Sequence, residues 1–276
     1  SMVNTADEDR VQENMAEIND EIAGLDPDVV FLQEVDRNSK RSHGIDELDL
    51  ISEAQSGYCD TFENNYTVVY VPYPLPTIGK VDSGIVTLSK YEVKDSRRFA
   101  LPCPFSYPIR TANLKRCLMI DRVPVEGSDK ELVLVNLHLE AYDDGDGKAA
   151  QTQMLQEILQ EEVNDGNYVI AGGDFNQAFS GVDTSMYPKI SEDLWQPGEI
   201  DTDLFGEDLT LVTDNSAPSC RSLDQPYAGA DHEKFQYYLI DGFIVSGNVT
   251  VESVETQNLN FKNSDHNPIL MKVTLD

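Results

Sequence analysis

Apolar positions in the first segment recur at helical spacing. Between Asp7 and Leu25, the residues Val11, Met15, Ile18, Ile22 and Leu25 follow one another at steps of four, three, four and three, with acidic and amide residues between them. This period predicts one amphipathic helix, its acidic first turn suited to the helix dipole and its end marked by Gly24 and Pro27. The next segment, DVVFLQEV, is too short and too β-branched for a helix and predicts a buried strand ending at Glu34. Further strands are predicted over 67–71, 84–89, 117–123, 131–139, 168–175, 209–212, 237–246 and 267–275. A second helix is predicted over 148–164, where Ala150, Met154, Leu155, Ile158, Leu159 and Val163 form one stripe suited to core packing. Few helices among many short strands predict layered sheets covered by helices, without defining the strand order.

Several predicted strands end in groups that can do chemistry. LQEV ends on Glu34, NLHLE carries Asn136 and His138, GGDFN carries Asp174 and Asn176, IDGF carries Asp241, and SDHNP carries Asp265 and His266. Strand ends entering loops can aim such side chains into a cleft. Each segment alone has a plain reading: an exposed strand-end Glu, a hydrogen-bonded core His, a Gly-Asp-Asn turn, an Asp-His-Asn-Pro turn, a solvated strand-end Asp. Their occurrence together in one chain argues for a single site. Alternation along an extended segment points Asp174 and Asn176 the same way, and the two glycines before them let the backbone turn closely.

Taken together and in this order, the five segments resemble the endonuclease/exonuclease/phosphatase superfamily of metal-dependent phosphodiesterases, over the span from about Asp7 to the C-terminus. The resemblance implies an α/β fold, a four-layer sandwich of two mainly antiparallel sheets flanked by helices, with the site at one end. It implies Glu34 and Asp265 as ligands of Mg²⁺ or Mn²⁺, ions that favour hard oxygen donors. It implies His266 as the acid/base residue with Asp241 as its carboxylate partner, and Asp174 as the group that orients or deprotonates the attacking water. Asn176 would donate to a phosphate oxygen, and His138 would stabilise charge on the phosphoryl group, with Asn136 supporting it from the same strand face as a further substrate-binding residue. Arg221, in SCRSLDQPY, would meet phosphate in a specificity loop, with Tyr227 packing on substrate; an ordinary exposed loop is the alternative.

Three departures from the family pattern qualify this. The first strand, which normally precedes the first helix and bears a metal-site Asn, is missing; Asn4 lies in a polar stretch and is not assigned that role. Asp82 is only a loose candidate for the acidic partner of His138, and Gly242 stands where the family often has a bulky residue. A missing strand predicts unpaired backbone and an incomplete metal site, hence weak activity unless another segment fills the gap.

Composition narrows the substrate. Fifty acidic residues against 20 basic ones give a formal charge of −30, which should repel long polyanions. This favours a small or lipid-derived phosphoester; a nuclease using local basic loops, RNSKRSH at 37–43 and SRR at 96–98, is the alternative, and a catalytically silent binding protein is a second. The four cysteines, Cys59, Cys103, Cys117 and Cys220, lack CxxC spacing, which argues against zinc and for free thiols. Spread of the motifs over nearly the whole chain, without a linker or repeat, predicts one domain over 1–276, taken as a monomer. No apolar run approaches the roughly 20 residues that span a bilayer, and no signal-peptide pattern opens the chain. Ser1-Met2 reads as a remnant of expression, so an export signal or anchor upstream is compatible with the sequence and localisation is left open.

Overall fold

The computed structural model describes residues 6–72, 75–143 and 146–276, so Asn4 lies outside the described residues. The first helix, α1 (Glu8–Leu25), is capped by Asp7, whose side chain accepts from the Arg10 N–H, and ends at Asp26 in a left-handed conformation before Pro27. There follow β1 (Val29–Asp36), α2 (Glu47–Ala54), β2 (Cys59–Val71), β3 (Gly79–Ser89), β4 (Asp95–Ala100), β5 (Cys117–Pro124) and β6 (Glu131–His138). The second half runs α3 (Asp146–Asn164), β7 (Tyr168–Asp174), β8 (Gln177–Phe179), β9 (Gly198–Ile200), β10 (Leu209–Val212), β11 (Cys220–Arg221), β12 (Tyr237–Tyr238), β13 (Asp241–Ser246), β14 (Val249–Thr256) and β15 (Ile269–Leu275).

A six-stranded sheet, ordered β10-β13-β7-β6-β5-β4, forms the centre. Only its β6–β7 pair is parallel, and α3 is the crossover between those two strands. Alternation along β6 sorts its side chains cleanly. Val133, Val135 and Leu137 pack with Leu155 and Leu159 of α3, whereas Leu132 and Leu134 face the opposite layer. That opposite layer holds the three-stranded sheet β1-β3-β2 and, over the same apolar cluster, the hairpin β14-β15. Met15 and Ile18 of α1 and Leu48 and Ile51 of α2 then cover the outer face of β1 and β3. The order helix, sheet, sheet, helix is the four-layer sandwich expected.

Two neighbours in the second layer keep an open edge. Among the described residues, β1 pairs only with β3, and β15 pairs only with β14. Val29 and Phe31 of β1 and Met271, Val273 and Leu275 of β15 rest, half-buried, on one cluster. No described segment bridges the two edges.

The remaining differences from the sequence reading have local causes. The predicted 237–246 strand is split into β12 and β13, because Leu239 and Ile240 pass from one sheet to another. SRR lies in edge strand β4 rather than in a loop, and β14, whose VTVESVET is half polar, was not anticipated. Helix α2 is too short for its periodicity to register. The four cysteines are unpaired, and no helix among the described residues is long and apolar enough to cross a membrane.

Candidate active site

Strand register assembles the first half of the site. In the parallel ladder His138 stands opposite Asp174, and in the adjoining antiparallel ladder Asp174 stands opposite Asp241. Three strand ends therefore present an imidazole and two carboxylates in one row. Gly173 makes this possible: it has φ +139°, and a Cβ there would sit 2.1 Å from the Leu137 carbonyl oxygen. Gly242 has a similar reason, since a Cβ would lie 2.7 Å from the Val212 carbonyl oxygen.

His266 joins the row from the loop before β15. It is held by a bridge to Cys220, and its neighbour Asn267 bonds to the Ser219 and Pro218 carbonyls. The His266 ring contacts Asp241 through Nδ1 at 2.9 Å and points Nε2 towards Asp174 Oδ2 at 3.9 Å. His138 Nε2 lies 3.4 Å from the same Asp174 oxygen. Asp174, Asp241 and His266 offer ligand atoms within 4.8 Å of one another.

The electrostatics separate the two histidines. Burial disfavours charge on His266, but Asp241 and Cys220 outweigh it and raise the ring's pKa well above the ordinary value. His138 is driven the other way, first by burial and then by the Arg116 guanidinium, so it is neutral. Burial and the adjacent Asp241 carboxylate push Asp174 upward. Arg116 and Glu140 form a nearly fully buried ion pair, in which Arg116 also donates to the His138 carbonyl and Glu140 accepts from the Ala141 and Tyr142 N–H groups.

Glu34 belongs to the second half. It occupies a β-bulge, where the β1–β3 register slips between Leu32 and Val35, and has φ +57°. A non-glycine residue in the left-handed region of a bulged strand is a strained feature that re-aims its side chain. The carboxylate enters a cleft of ≈ 300 Å³ that Arg41, Asn263 and Asp265 also line. Arg41 donates to Glu34 Oε2 at 2.6 Å and, through Nε and Nη2, to both oxygens of Asp36. The Arg41 guanidinium holds the Glu34 carboxyl down at about 2, so the group is ionised. Its other oxygen, and the Asp265 carboxylate, accept no hydrogen bond from the described residues. Two carboxylates that leave oxygens open to the same cleft suit a hard divalent cation.

Other expected residues sit elsewhere than the sequence suggested. Asn136 is fully buried and spent on Gln33 and the Leu32 and Val86 carbonyls, so it ties β6 to β1 and β3 and presents nothing to a substrate. Both amide hydrogens of Asn176 go to the Leu139 carbonyl and Asp174 Oδ2, which fixes Asp174. Arg221 lies over the Tyr227 ring, 4.6 Å from its centroid, with Phe235 and Phe261 alongside, and no hydrogen bond joins it to the histidine–aspartate row. No hydrogen bond or ion pair among the described residues joins Asp82 to His138, whose Nδ1 is buried without a hydrogen-bond partner. Arg41, Asp36, Arg116 and Glu140 were missed. Asp36 after VVFLQEV and Glu140 after LVLVNLHL, acids following long apolar runs, were the available signals.

This sandwich, with its carboxylate–imidazole row beside an acidic cleft, is that of a metal-dependent hydrolase of phosphoesters. The chain belongs to the Endonuclease/Exonuclease/phosphatase family, whose model matches residues 3–266. Among solved structures it is similar to an endonuclease/exonuclease/phosphatase from Beutenbergia cavernae, with 21% identity and TM-score 0.67 over 95% of this chain and 66% of that one. It is also similar to the human Nocturnin catalytic domain, with 16% identity and TM-score 0.63 over 96% and 87%. TDP2 from Caenorhabditis elegans matches with 16% identity and TM-score 0.59 over 95% and 69%. No curated protein matches the chain in sequence.

Proposed function

We propose that this chain is a Mg²⁺- or Mn²⁺-dependent phosphodiesterase acting on a small or lipid-derived phosphodiester. The observation that carries this reading is the row His138–Asp174–Asp241–His266, in which environment pushes two histidines in opposite directions around one carboxylate. Glu34 and Asp265 would hold the ion, which when bound supplies charge stabilisation to the phosphoryl oxygens. Asp174, made more basic than an ordinary carboxylate by burial and Asp241, takes a proton from the attacking water as the new P–O bond forms. His266, held protonated by Asp241, gives a proton to the leaving oxygen as the old P–O bond breaks. His138 serves the phosphoryl group as a neutral ring, and Asn176 keeps Asp174 in place.

The substrate class rests on charge. In the two basic segments, Arg37 is engaged by Asp46 and Asp49, Arg97 by Asp95, and Arg98 by the Asn64 and Lys115 carbonyls, and a chain of charge −30 repels a polyanion. We read the whole chain as one domain. Parallel assays on bis(p-nitrophenyl) phosphate, p-nitrophenyl phosphate and single- and double-stranded DNA test the assignment. Turnover of the diester above the monoester, with DNA uncut, is expected; efficient DNA cleavage that falls steeply with salt would replace it with a nuclease.

A further inference from the structure

The loop RNSKRSH delivers its second arginine to the wall of the cleft. Arg41 grips Asp36 with two parallel hydrogen bonds, Nε to Oδ2 and Nη2 to Oδ1, both 2.9 Å. Asp36 is only 2% exposed, so releasing it would strand a buried carboxylate. Arg37 N–H bonds to the Asp82 carbonyl and Lys40 N–H to the Lys80 carbonyl, which fastens the loop to β3, and Gly44 N–H closes the loop on the Ser39 carbonyl. The guanidinium is thereby fixed relative to β1. Its remaining arm, Nη1, reaches Glu34 Oε2 and leaves the other Glu34 oxygen to the cleft.

Resting on the proposed metal site, we propose that Arg41 is a resident cation of that site: it keeps one oxygen of Glu34 permanently, leaves the other as a single-oxygen ligand, and weakens divalent-ion binding by fixed repulsion. Arg41 is a positioning residue here, not a gate, because its grip on Asp36 prevents it from swinging clear when the ion arrives. A unit charge and a divalent ion about 6 Å apart, in surroundings as polar as water, repel by roughly the equivalent of one order of magnitude in affinity. The arrangement also gives this basic loop a place within so acidic a chain. It supplies a positive charge where two acids of β1 converge, which a bound ion alone would do only while present.

Calorimetric titration with Mn²⁺ at constant ionic strength tests this, using the wild type, Arg41→Gln, Arg41→Lys and Glu34→Gln. Arg41→Gln is expected to tighten Mn²⁺ binding about tenfold, while Arg41→Lys, which keeps the charge but not the paired grip on Asp36, is expected to tighten it less. Unchanged or weaker binding in Arg41→Gln, or equal tightening in Arg41→Lys, overturns the proposal. Loss of binding in Glu34→Gln is expected; wild-type affinity there means that the metal reading itself has failed, whatever Arg41 does. Should Arg41→Gln fail to fold, the unaltered protein supplies the answer by nitrogen-15 spectroscopy of its arginine side chains. The Arg41 Nε–H signal, identified by its loss in Arg41→Lys, is expected to stay protected from exchange when Mg²⁺ is saturating, and its collapse to free-arginine behaviour overturns the fixed cation.

Discussion

The two halves of the site are built by different means. At the Asp174 end, position is set by backbone ladders: three neighbouring strands stop at one level, and their registers place His138, Asp174 and Asp241 side by side. At the Glu34 end, position is set by charge. A bulge turns Glu34 out of β1, and Arg41, itself held by Asp36, catches it. The first half should therefore lose chemistry without losing fold, and the second should respond to ions and to changes of charge.

His266→Gln gives the largest expected effect. The substitution removes the proposed proton donor and leaves the ladders intact, so kcat on the activated diester should fall about 10²- to 10⁴-fold with little change in Tm. A comparable loss accompanied by unfolding would erase the distinction between the halves. Arg116→Met probes what stands behind the row. It strands Glu140, whose side chain is 3% exposed, and should cost about 3 to 5 kcal/mol in urea unfolding. Gly173→Ala forces a methyl group against the Leu137 carbonyl at φ +139° and should cost about 1 to 3 kcal/mol, with activity falling as the row is displaced.

Much of the Asp174 end was legible in the sequence because its signal is local. GGDFN, IDGF and SDHNP each place their polar residues at a strand end, and a ladder needs only the strands to align. The outer layers were legible for the same reason, through the helical stripes of α1 and α3. The Glu34 end was harder to read because its determinants are not periodic. Arg41 looked like part of a solvated basic loop, since nothing in RNSKRSH announces that Asp36, five residues earlier, is buried and needs a cation. Asn136 looked like a substrate contact because it shares a face with His138. That face is covered by β1 and β3, a fact of sheet packing that one strand's pattern does not contain.

The subtlest expected change is in pH dependence. In the proposed mechanism hydrolysis requires Asp174 deprotonated and His266 protonated, so the rate should rise as Asp174 loses its proton and fall as His266 does. Asp241 raises both groups. In Asp241→Asn both limbs of the profile should accordingly move to lower pH, measured as kcat against pH on the activated diester. Movement of one limb alone would separate Asp174 from His266.

Whether the two halves act on one reaction is decided by hydrolysis of bis(p-nitrophenyl) phosphate by wild type, His266→Gln and Glu34→Gln, each with EDTA and with Mn²⁺. Turnover that appears only with Mn²⁺ and is lost in both variants is the predicted result. Turnover that survives EDTA, or persists in either variant, would contradict a single metal-assisted site spanning Glu34 and His266.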